Sequence, residues 1–265
     1  MIAFSTLMAE RAGGYRKILP LRKDGLKNLE LTWAAGVDID DRKSFLKVSA
    51  ELKKAGIELT SAHAPLHTAN GRDVDVSSLD NWMRKFAVRE TQKSILALFL
   101  MAGAGKKTVI HIGRAVENEN RKEHIKMAAL SLKEICEFAS EFNAEICLEN
   151  TLPGHLGCFL DELLEAREKS GCGEIKFCLD TGHYNFGEEQ DDLLSEMAPD
   201  ITELHIHDND GKKDSHLVPG RGTIDWEALF ELTGLKERLN VFEIMQGGAA
   251  EIKQCLKFAA DYGIQ

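Results

Sequence analysis

The chain lacks the segments that direct proteins into membranes or out of the cell. No apolar run in its 265 residues reaches the roughly 18 residues needed to span a bilayer. The N-terminal segment MIAFSTLM carries neither a basic leader nor a long apolar core, so we expect a first strand there and not a signal peptide. These absences predict a cytoplasmic protein that does not associate with membranes.

The cysteines lack the spacing of a metal site or of a disulfide framework. They form neither CxxC pairs nor regular intervals, and they lie at positions 136, 147, 158, 172, 178 and 255. Several fall inside predicted strands or helices, where a free cysteine behaves as a small apolar residue. The pattern therefore predicts reduced thiols, as is usual for a cytosolic protein.

The chain also lacks an excess of positive charge. Lys and Arg number 33 against 43 Asp and Glu, which gives a net charge of −10 and a pI near 5.4. Binding along a nucleic-acid backbone needs clustered Lys and Arg that neutralise phosphates. This balance argues against nucleic acid as a partner, while an apolar content of 43% supports a full core.

Short apolar segments alternate with longer amphipathic ones along the whole chain. They predict strands at Ile2–Thr6, Asn28–Leu31, Ile57–Ser61, Thr108–Ile112, Glu145–Leu148, Lys176–Leu179, Glu203–Ile206 and Val241–Ile244. Helices are predicted near 41–55, 77–104, 120–142, 159–170, 188–198, 226–233 and 248–262. Strict alternation indicates a parallel sheet covered by helices, and no G-x-G-x-x-G motif suggests a dinucleotide fold. We predict an α/β protein with a single domain over residues 1–265, a (β/α)8 TIM barrel.

Nearly every predicted strand from the third onward ends in a side chain that can bind a metal or transfer a proton. The C-terminal ends of barrel strands converge on one pocket, where active sites of this fold form. Glu149 and Glu243 follow the fifth and eighth strands and would face each other as metal ligands or as an acid–base pair. A lone buried carboxylate could instead form a structural ion pair. Together the strand-end residues predict a metalloenzyme.

Imidazoles accompany these carboxylates. In Asp180-Thr181-Gly182-His183, Gly182 would allow a sharp turn, so that Asp180 and His183 both point into the pocket. Such oxygen and nitrogen ligands suit Zn²⁺, Mn²⁺ or Fe²⁺, although Asp180 could also begin a helix before a surface histidine. His63 and His111 end two further strands and are predicted ligands, whereas a single histidine on an apolar face is usually a core residue.

Two pairs of side chains with a spacing of two residues complete the predicted set. His205 and His207 share one face of the seventh strand. We predict His207, which is nearer the strand end, as the ligand, and His205 as a core residue or as support for a ligand. Asp214 and His216 could both reach one metal from an extended loop, or could belong to a solvated loop.

These motifs together resemble the xylose isomerase-like TIM-barrel superfamily, which includes endonuclease IV, xylose isomerase, hydroxypyruvate isomerase and the tagatose/psicose 3-epimerases. The resemblance extends from the first to the eighth strand. It rests on Leu148-Glu149-Asn150, Asp180-Thr181-Gly182-His183, His207-Asp208-Asn209-Asp210, Asp214-Ser215-His216, Pro219-Gly220-Arg221-Gly222 and Phe242-Glu243.

The superfamily implies two alternative metal sites. Endonuclease IV binds three zinc ions through nine ligands, and this sequence resembles it at His63, His111, Glu149, Asp180, His183, His207, Asp214, His216 and Glu243. The epimerases hold one metal with four groups, which here would be Glu149, Asp180, His207 and Glu243. They tend to carry a substrate-binding Arg where this chain has His216, a difference that favours further metals. Gly182, where the endonuclease signature has Cys, and the short loop from His207 to Asp214 argue against duplex DNA as the substrate.

The resemblance implies a metal-dependent isomerase or epimerase of a small sugar, keto-sugar or sugar phosphate. Glu149 and Glu243 would be catalytic and would exchange a proton through an enediolate. The substrate would be bound by His183, Arg221, Arg114 and Trp33, and the two arginines could receive a phosphate. The cofactor would be roughly one to three divalent ions per chain, Zn²⁺ or Mn²⁺, with Mg²⁺ or Co²⁺ as alternatives. The alternative functions are a multi-zinc phosphodiesterase resembling endonuclease IV and a metal-binding barrel without catalysis.

Overall fold

Eight parallel strands close into a barrel in the order in which they occur along the chain. The computed structural model describes residues 1–10, 14–33, 37–187 and 190–264. The strands are β1 Ile2–Ser5, β2 Asn28–Leu31, β3 Glu58–His63, β4 Lys107–His111, β5 Glu145–Glu149, β6 Lys176–Asp180, β7 Ile201–Ile206 and β8 Leu239–Phe242. β8 pairs with β1, where Phe242 lies opposite Phe4, and thereby closes the sheet. The predicted TIM barrel is confirmed, and each strand lies within about two residues of its predicted bounds.

Helices connect the strands and pack against the outside of the barrel. They are α1 Leu7–Glu10, α2 Arg42–Ala55, α3 Asn81–Ala102, α4 Arg121–Ser140, α5 Leu160–Ser170, α6 Thr181–Tyr184, α7 Asp191–Met197, α8 Trp226–Thr233 and α9 Ala249–Tyr262. Short 3₁₀ segments occupy Tyr15–Lys17, Leu19–Asp24, Asn118–Asn120, Ala198–Asp200 and Leu235–Glu237. Across the described ranges, we find no helix with the length and apolar character of a membrane span.

The sequence sets the helix ends locally, as α8 illustrates. The Asp225 carboxylate accepts a hydrogen bond from the backbone N–H of Ala228 at 3.0 Å, and so satisfies a donor that the first turn leaves free. Gly234 ends the helix with a φ of 62°, a left-handed conformation that glycine adopts without a steric penalty. Such ends fix where the loops above the barrel begin.

Two cysteines form a disulfide, so the prediction of six reduced thiols is wrong for this pair. Cys136 on α4 is bonded to Cys172, which follows α5, and their Cα atoms are 6.7 Å apart. The adjacent packing of α4 and α5 brings them together, which their separation of 36 residues in the sequence could not indicate. The other four cysteines are free, and Cys147, Cys178 and Cys255 are buried.

Candidate metal centre

The predicted ligands converge at the C-terminal end of the barrel. His63, His111, Glu149 and Asp180 are the last residues of four consecutive strands, β3 to β6. Glu243 follows β8 directly. Because parallel strands end at the same edge of the barrel, these side chains point into one space. The remaining predicted ligands reach that space from α6 and from the connection that follows β7.

Glu149 lies at the centre of this arrangement. Its Oε2 is 2.9 Å from Nε2 of both His63 and His111, and its Oε1 is 2.9 Å from Nδ1 of His205. Only 1% of its surface is exposed, so an ionised carboxylate here needs such partners. Burial raises its pKa, but the neighbouring His205 and His111 outweigh this effect and hold it well below the usual value. Glu149 is therefore an anion whose two oxygens face different histidines.

His205, and not His207, groups with the two glutamates. The ligand atoms of Glu149, Asp180, His205 and Glu243 lie within 4.8 Å of one another, and we call these residues the central group. The sequence prediction assigned His207 to this position because it is nearer the strand end. In the structure both histidines are fully buried. His205 lies within β7, opposite Asp180 of β6, while His207 lies beyond the strand.

His207 belongs to a second set, the loop group, which consists of His183, His207, Asp214 and His216. The imidazole rings of His207 and His216 are stacked with centroids 3.9 Å apart. Asp214 Oδ2 is 3.1 Å from His216 Nε2 and 3.6 Å from His183 Nε2. The alternative of a solvated loop is not supported, since Asp214 and His216 turn inward onto α6 and β7.

Gly182 has a different role from the predicted one. It lies within α6, and its φ is not in the left-handed region, so no special turn requires a glycine. Instead, a Cβ at this position would lie 2.0 Å from Cε1 of His207. Gly182 is therefore needed because the imidazole of His207 packs directly against the backbone of α6.

Three histidines are oriented by main-chain carbonyl groups. The Nδ1 atoms of His63, His183 and His216 lie 2.7, 3.0 and 2.7 Å from the carbonyl oxygens of Ala64, Asn150 and Glu243 respectively. Each Nδ1–H donates to its carbonyl, which leaves Nε2 facing the carboxylates. Histidines that bind metals in proteins commonly have their second nitrogen fixed in this way.

Two buried atoms without partners face each other in the loop group. His207 Nδ1 and Asp214 Oδ1 have no hydrogen-bond partner among the described residues, and they are 3.9 Å apart. Zinc binds imidazole nitrogen and carboxylate oxygen at about 2.0–2.2 Å, so one ion between the two atoms would satisfy both. Burying such atoms without a partner is otherwise costly. The residues present therefore fit a divalent metal.

The two histidines that share Glu149 Oε2 differ in charge. Burial lowers the pKa of both imidazoles. At His63 the hydrogen bond to Glu149 and the nearby Glu30 outweigh burial and raise the pKa to about 9. At His111 burial prevails, and the pKa is lowered. Without metal, His63 is therefore protonated near neutral pH and His111 is neutral.

His183 and His216 of the loop group are protonated near neutral pH when no metal is bound. Burial opposes this, but Asp180 and Asp214 raise the pKa of His183 to about 10. Asp214 and Glu243 likewise raise the pKa of His216 to about 9. In return, despite burial, the two histidines hold the pKa of Asp214 far below its usual value.

The sequence prediction missed a polar layer beneath the central group. Glu30, Ser61 and Glu203 are fully buried inside the barrel. The Ser61 hydroxyl lies 2.7 Å from Glu203 Oε1, and Glu30 Oε2 is 3.2 Å from His205 Nε2. Burial and the nearby Glu30 raise the pKa of Glu203 well above its usual value. A glutamate inside the apolar segment Leu29-Glu30-Leu31 was the available signal, because it places a carboxylate in the barrel interior.

The predicted substrate-binding residues divide between the inside and the outside of one cavity. A cavity of about 400 Å³ opens above the centre, and Trp33, Arg114 and His183 line it. The indole Nε1 of Trp33 donates to Ser94 Oγ at 2.9 Å. Arg221 is exposed, does not line this cavity, and donates a hydrogen bond to Gln254 on α9. We therefore leave Arg221 out of the candidate site.

Known proteins with similar sequences and structures include sugar epimerases. A D-psicose 3-epimerase from Enterocloster bolteae is 22% identical over 239 residues, which cover 86% of this chain and 77% of that protein. A D-tagatose 3-epimerase-like protein superposes with a TM-score of 0.81 at 21% identity, covering 98% of this chain and 97% of that one. An IolI protein with a bound zinc atom superposes with a TM-score of 0.77 at 15% identity, covering 98% and 96%.

The family model described as xylose isomerase-like TIM barrel matches residues 20–233 of the chain. The match includes eight of the nine predicted ligands, all except Glu243. It is independent of the structural superpositions, which at these identities show the fold alone. The chain belongs to the xylose isomerase-like TIM barrel family.

Proposed function

We propose that the protein is a metal-dependent isomerase or epimerase of a small sugar, keto-sugar or sugar phosphate. The observation that carries this proposal is the central group, in which Glu149 and Glu243 approach Asp180 and His205 to within 4.8 Å at the base of the cavity. Glu149 ends β5 and Glu243 follows β8, two strands that are not neighbours in the barrel. A substrate carbon above the group would thus have a carboxylate on either side.

The residues of this chain would act as follows. Glu149, Asp180, His205 and Glu243 would hold the ion, which, when bound, polarises carbonyl and hydroxyl oxygens as a Lewis acid. Glu149 or Glu243 would remove a proton from the carbon beside the substrate carbonyl, and the other would return one. Glu243 is 6% exposed, so it reaches the cavity while being shielded from bulk water.

Two further observations support a sugar-like substrate. A sequence relative and a superposed structure carry the names of psicose and tagatose epimerases. The cavity of about 400 Å³ lies in the range of small-molecule sites. Cytoplasmic location and the absence of a nucleic-acid partner are proposed together with this function.

The decisive test is hydrogen exchange at carbon. The protein, reconstituted with Mn²⁺ or Zn²⁺, would be incubated in deuterium oxide with keto-pentoses and keto-hexoses, free and phosphorylated, and followed by proton NMR. We expect deuterium beside the carbonyl and conversion to an epimer or aldose. Glu243→Gln should slow exchange by about 10²–10⁴-fold, while Glu227→Gln, on the exposed face of α8, should not. A metal-loaded protein that exchanges no sugar would contradict the proposal.

A second candidate, a multi-metal phosphodiesterase, is favoured by one specific observation. Glu149 directs Oε2 towards His63 and His111 and Oε1 towards His205, as a carboxylate bridging two ions would. Paired ions of this kind serve in many enzymes that cleave phosphoesters. The loop group would hold a third ion.

Counting metals separates the two candidates. The protein would be purified without chelator or metal-affinity resin and submitted to elemental analysis. About three zinc ions per chain together with cleavage of abasic DNA or a simpler phosphodiester would favour the phosphodiesterase. About one ion together with exchange at carbon would favour the isomerase. Absence of metal after soaking with both Mn²⁺ and Zn²⁺ would contradict both.

A further inference from the structure

The cavity above the metal centre has a cationic side. Its described lining residues include several histidines and acids, but Arg114 is the only Lys or Arg among them. The remainder of the wall is largely apolar and includes Leu7, Trp33 and Leu152. A guanidinium is always charged and presents several N–H donors in one plane. A ligand that fills this cavity will therefore meet a fixed positive charge on its wall, outside the central group.

Arg114 is held in place through one of its three nitrogens. Its Nη2 donates to His67 Nε2 at 2.9 Å and to Asp73 Oδ1 at 3.2 Å. His67 Nδ1 in turn lies 2.9 Å from Asp73 Oδ1. His67 therefore accepts from Arg114 at Nε2 and donates to Asp73 at Nδ1. Among the described residues, Nε and Nη1 of Arg114 have no acceptor, so three N–H groups remain for a ligand.

The backbone also fixes Arg114 on the wall. Its carbonyl accepts from the N–H of Leu156 at 3.0 Å, and Val116 N–H donates to the carbonyl of Gly154 at 3.1 Å. Between these bonds, Ala115 pairs with His155 as an isolated antiparallel bridge. His155 lines the same cavity, and burial together with the charge of Arg114 lowers its pKa. The site thus consists of one oriented guanidinium beside an uncharged imidazole.

We propose that Arg114 binds an anionic group, a phosphate ester or a carboxylate, at one end of the substrate. The metal centre would bind the carbonyl and hydroxyl oxygens at the other end of the substrate. This second part of the inference rests on the proposed function. Arginine binds such anions through paired, charge-assisted N–H donors. Asp73 is more than half exposed, so water screens its charge and it orients the guanidinium more than it neutralises it. The substrate class narrows accordingly from sugars in general to sugar phosphates or sugar acids.

The test uses the full chain stripped of metal with a chelator and dialysed free of it, so that an anion cannot bind to metal. Thermal unfolding is followed against inorganic phosphate, with chloride at matched ionic strength as the reference. We expect phosphate to stabilise the wild type specifically. Arg114→Gln should raise the apparent Kd for phosphate by on the order of tenfold. Arg221→Gln removes an exposed arginine outside the cavity and should leave the Kd unchanged.

A second variant and a second anion complete the test. If Arg114→Gln fails to fold, Arg114→Lys keeps the charge but loses the paired donors, and we expect it to weaken phosphate binding as well. Replacing phosphate by acetate distinguishes a phosphate subsite from a carboxylate subsite. The proposal would be overturned if an anion stabilised the wild type and both Arg114 variants equally. It would also be overturned if neither phosphate nor acetate stabilised the wild type. Because no metal is present, these outcomes do not depend on which reaction the centre catalyses.

Discussion

The metal centre has two halves that differ in how the chain supports them. The central group is carried mainly by strands: Glu149 and Asp180 end β5 and β6, and His205 lies within β7. The loop group depends on Asp214 and His216, which lie in the long connection between β7 and α8. The carboxylates at the centre of each half differ in side-chain exposure, at 2% for Glu149 and 23% for Asp214.

The loop group includes a residue with a strained backbone conformation. His216 has a φ of 43°, a left-handed conformation that costs a non-glycine residue on the order of 1–3 kcal/mol. It is held there by its Nδ1–H bond to the Glu243 carbonyl and by stacking on His207. The strand-borne residues need no such strain, since the ladder positions them. The central group is therefore expected to persist when the loop group is damaged, but not the reverse.

The largest effect is expected at Glu149, the carboxylate that three histidines contact. Glu149→Gln removes the charge that faces His63, His111 and His205. Because even residues that only support ligands change metal affinity by about 10–100-fold, we expect a loss of more than about 100-fold in zinc affinity, measured by chelator competition. Glu145→Gln, at the opposite end of β5, provides the matched control. Near-normal affinity in Glu149→Gln would refute the central role of Glu149.

A smaller effect is expected from damage to the loop half alone. Asp214→Asn should reduce bound metal by about one ion per chain and leave the central group filled, because its four residues lie in strands or directly after one. Elemental analysis after equilibrium dialysis measures this. Asp210→Asn, which alters an exposed carboxylate in the same loop, should have no effect. If Asp214→Asn emptied the whole centre, the distinction between the two halves would be wrong.

The smallest expected effect is the release of protons when zinc binds. With pKa values of about 10 and 9, His183 and His216 are protonated at pH 7 in the metal-free protein, whereas ligands must be neutral. Zinc uptake at pH 7 should therefore release on the order of two protons from the loop half, measured by calorimetry in buffers of different ionisation enthalpy. Asp214→Asn should reduce that number. Proton release that did not change with this variant would contradict the assignment.

The same shifts set the stability of the metal-free protein. Because both pKa values lie above the ordinary value of 6.5, the stabilisation they provide is complete below about pH 6.5. It is lost as the pH rises through 9 and 10. We expect the unfolding temperature of the metal-free wild type to fall over that range, and Asp214→Asn to show a smaller fall.

The barrel and most of the strand-end ligands could be predicted because simple rules place them. Alternating segments give the fold, and closure brings strand ends such as His63 and Asp180 together. The position of a side chain along the barrel axis could not be predicted. A period of two shows that His205 and His207 share one face of the strand, but not which of them reaches the glutamates. The conformations of the loops could not be predicted either. For this reason Arg221 was expected to line a cavity from which the structure excludes it.

Close packing between distant segments was also invisible in the sequence. Gly182 is required by the ring of His207, and the Cys136–Cys172 disulfide by the contact of two helices. Glu30 and Glu203 were not predicted, because the sequence alone does not show whether a charged residue within a strand faces the solvent or the barrel interior. Only the closed barrel shows that both carboxylates face its interior.

Closure of the barrel by β8 ties the assembly of the centre to the final stages of folding. Glu243 is placed only when β8 has inserted between β7 and β1, a pairing of opposite ends of the sequence that is slow to form. Partly folded chains that lack this pairing would lack one member of the central group. Metal should thus bind the completed barrel in preference to folding intermediates, which would draw the population towards the native state.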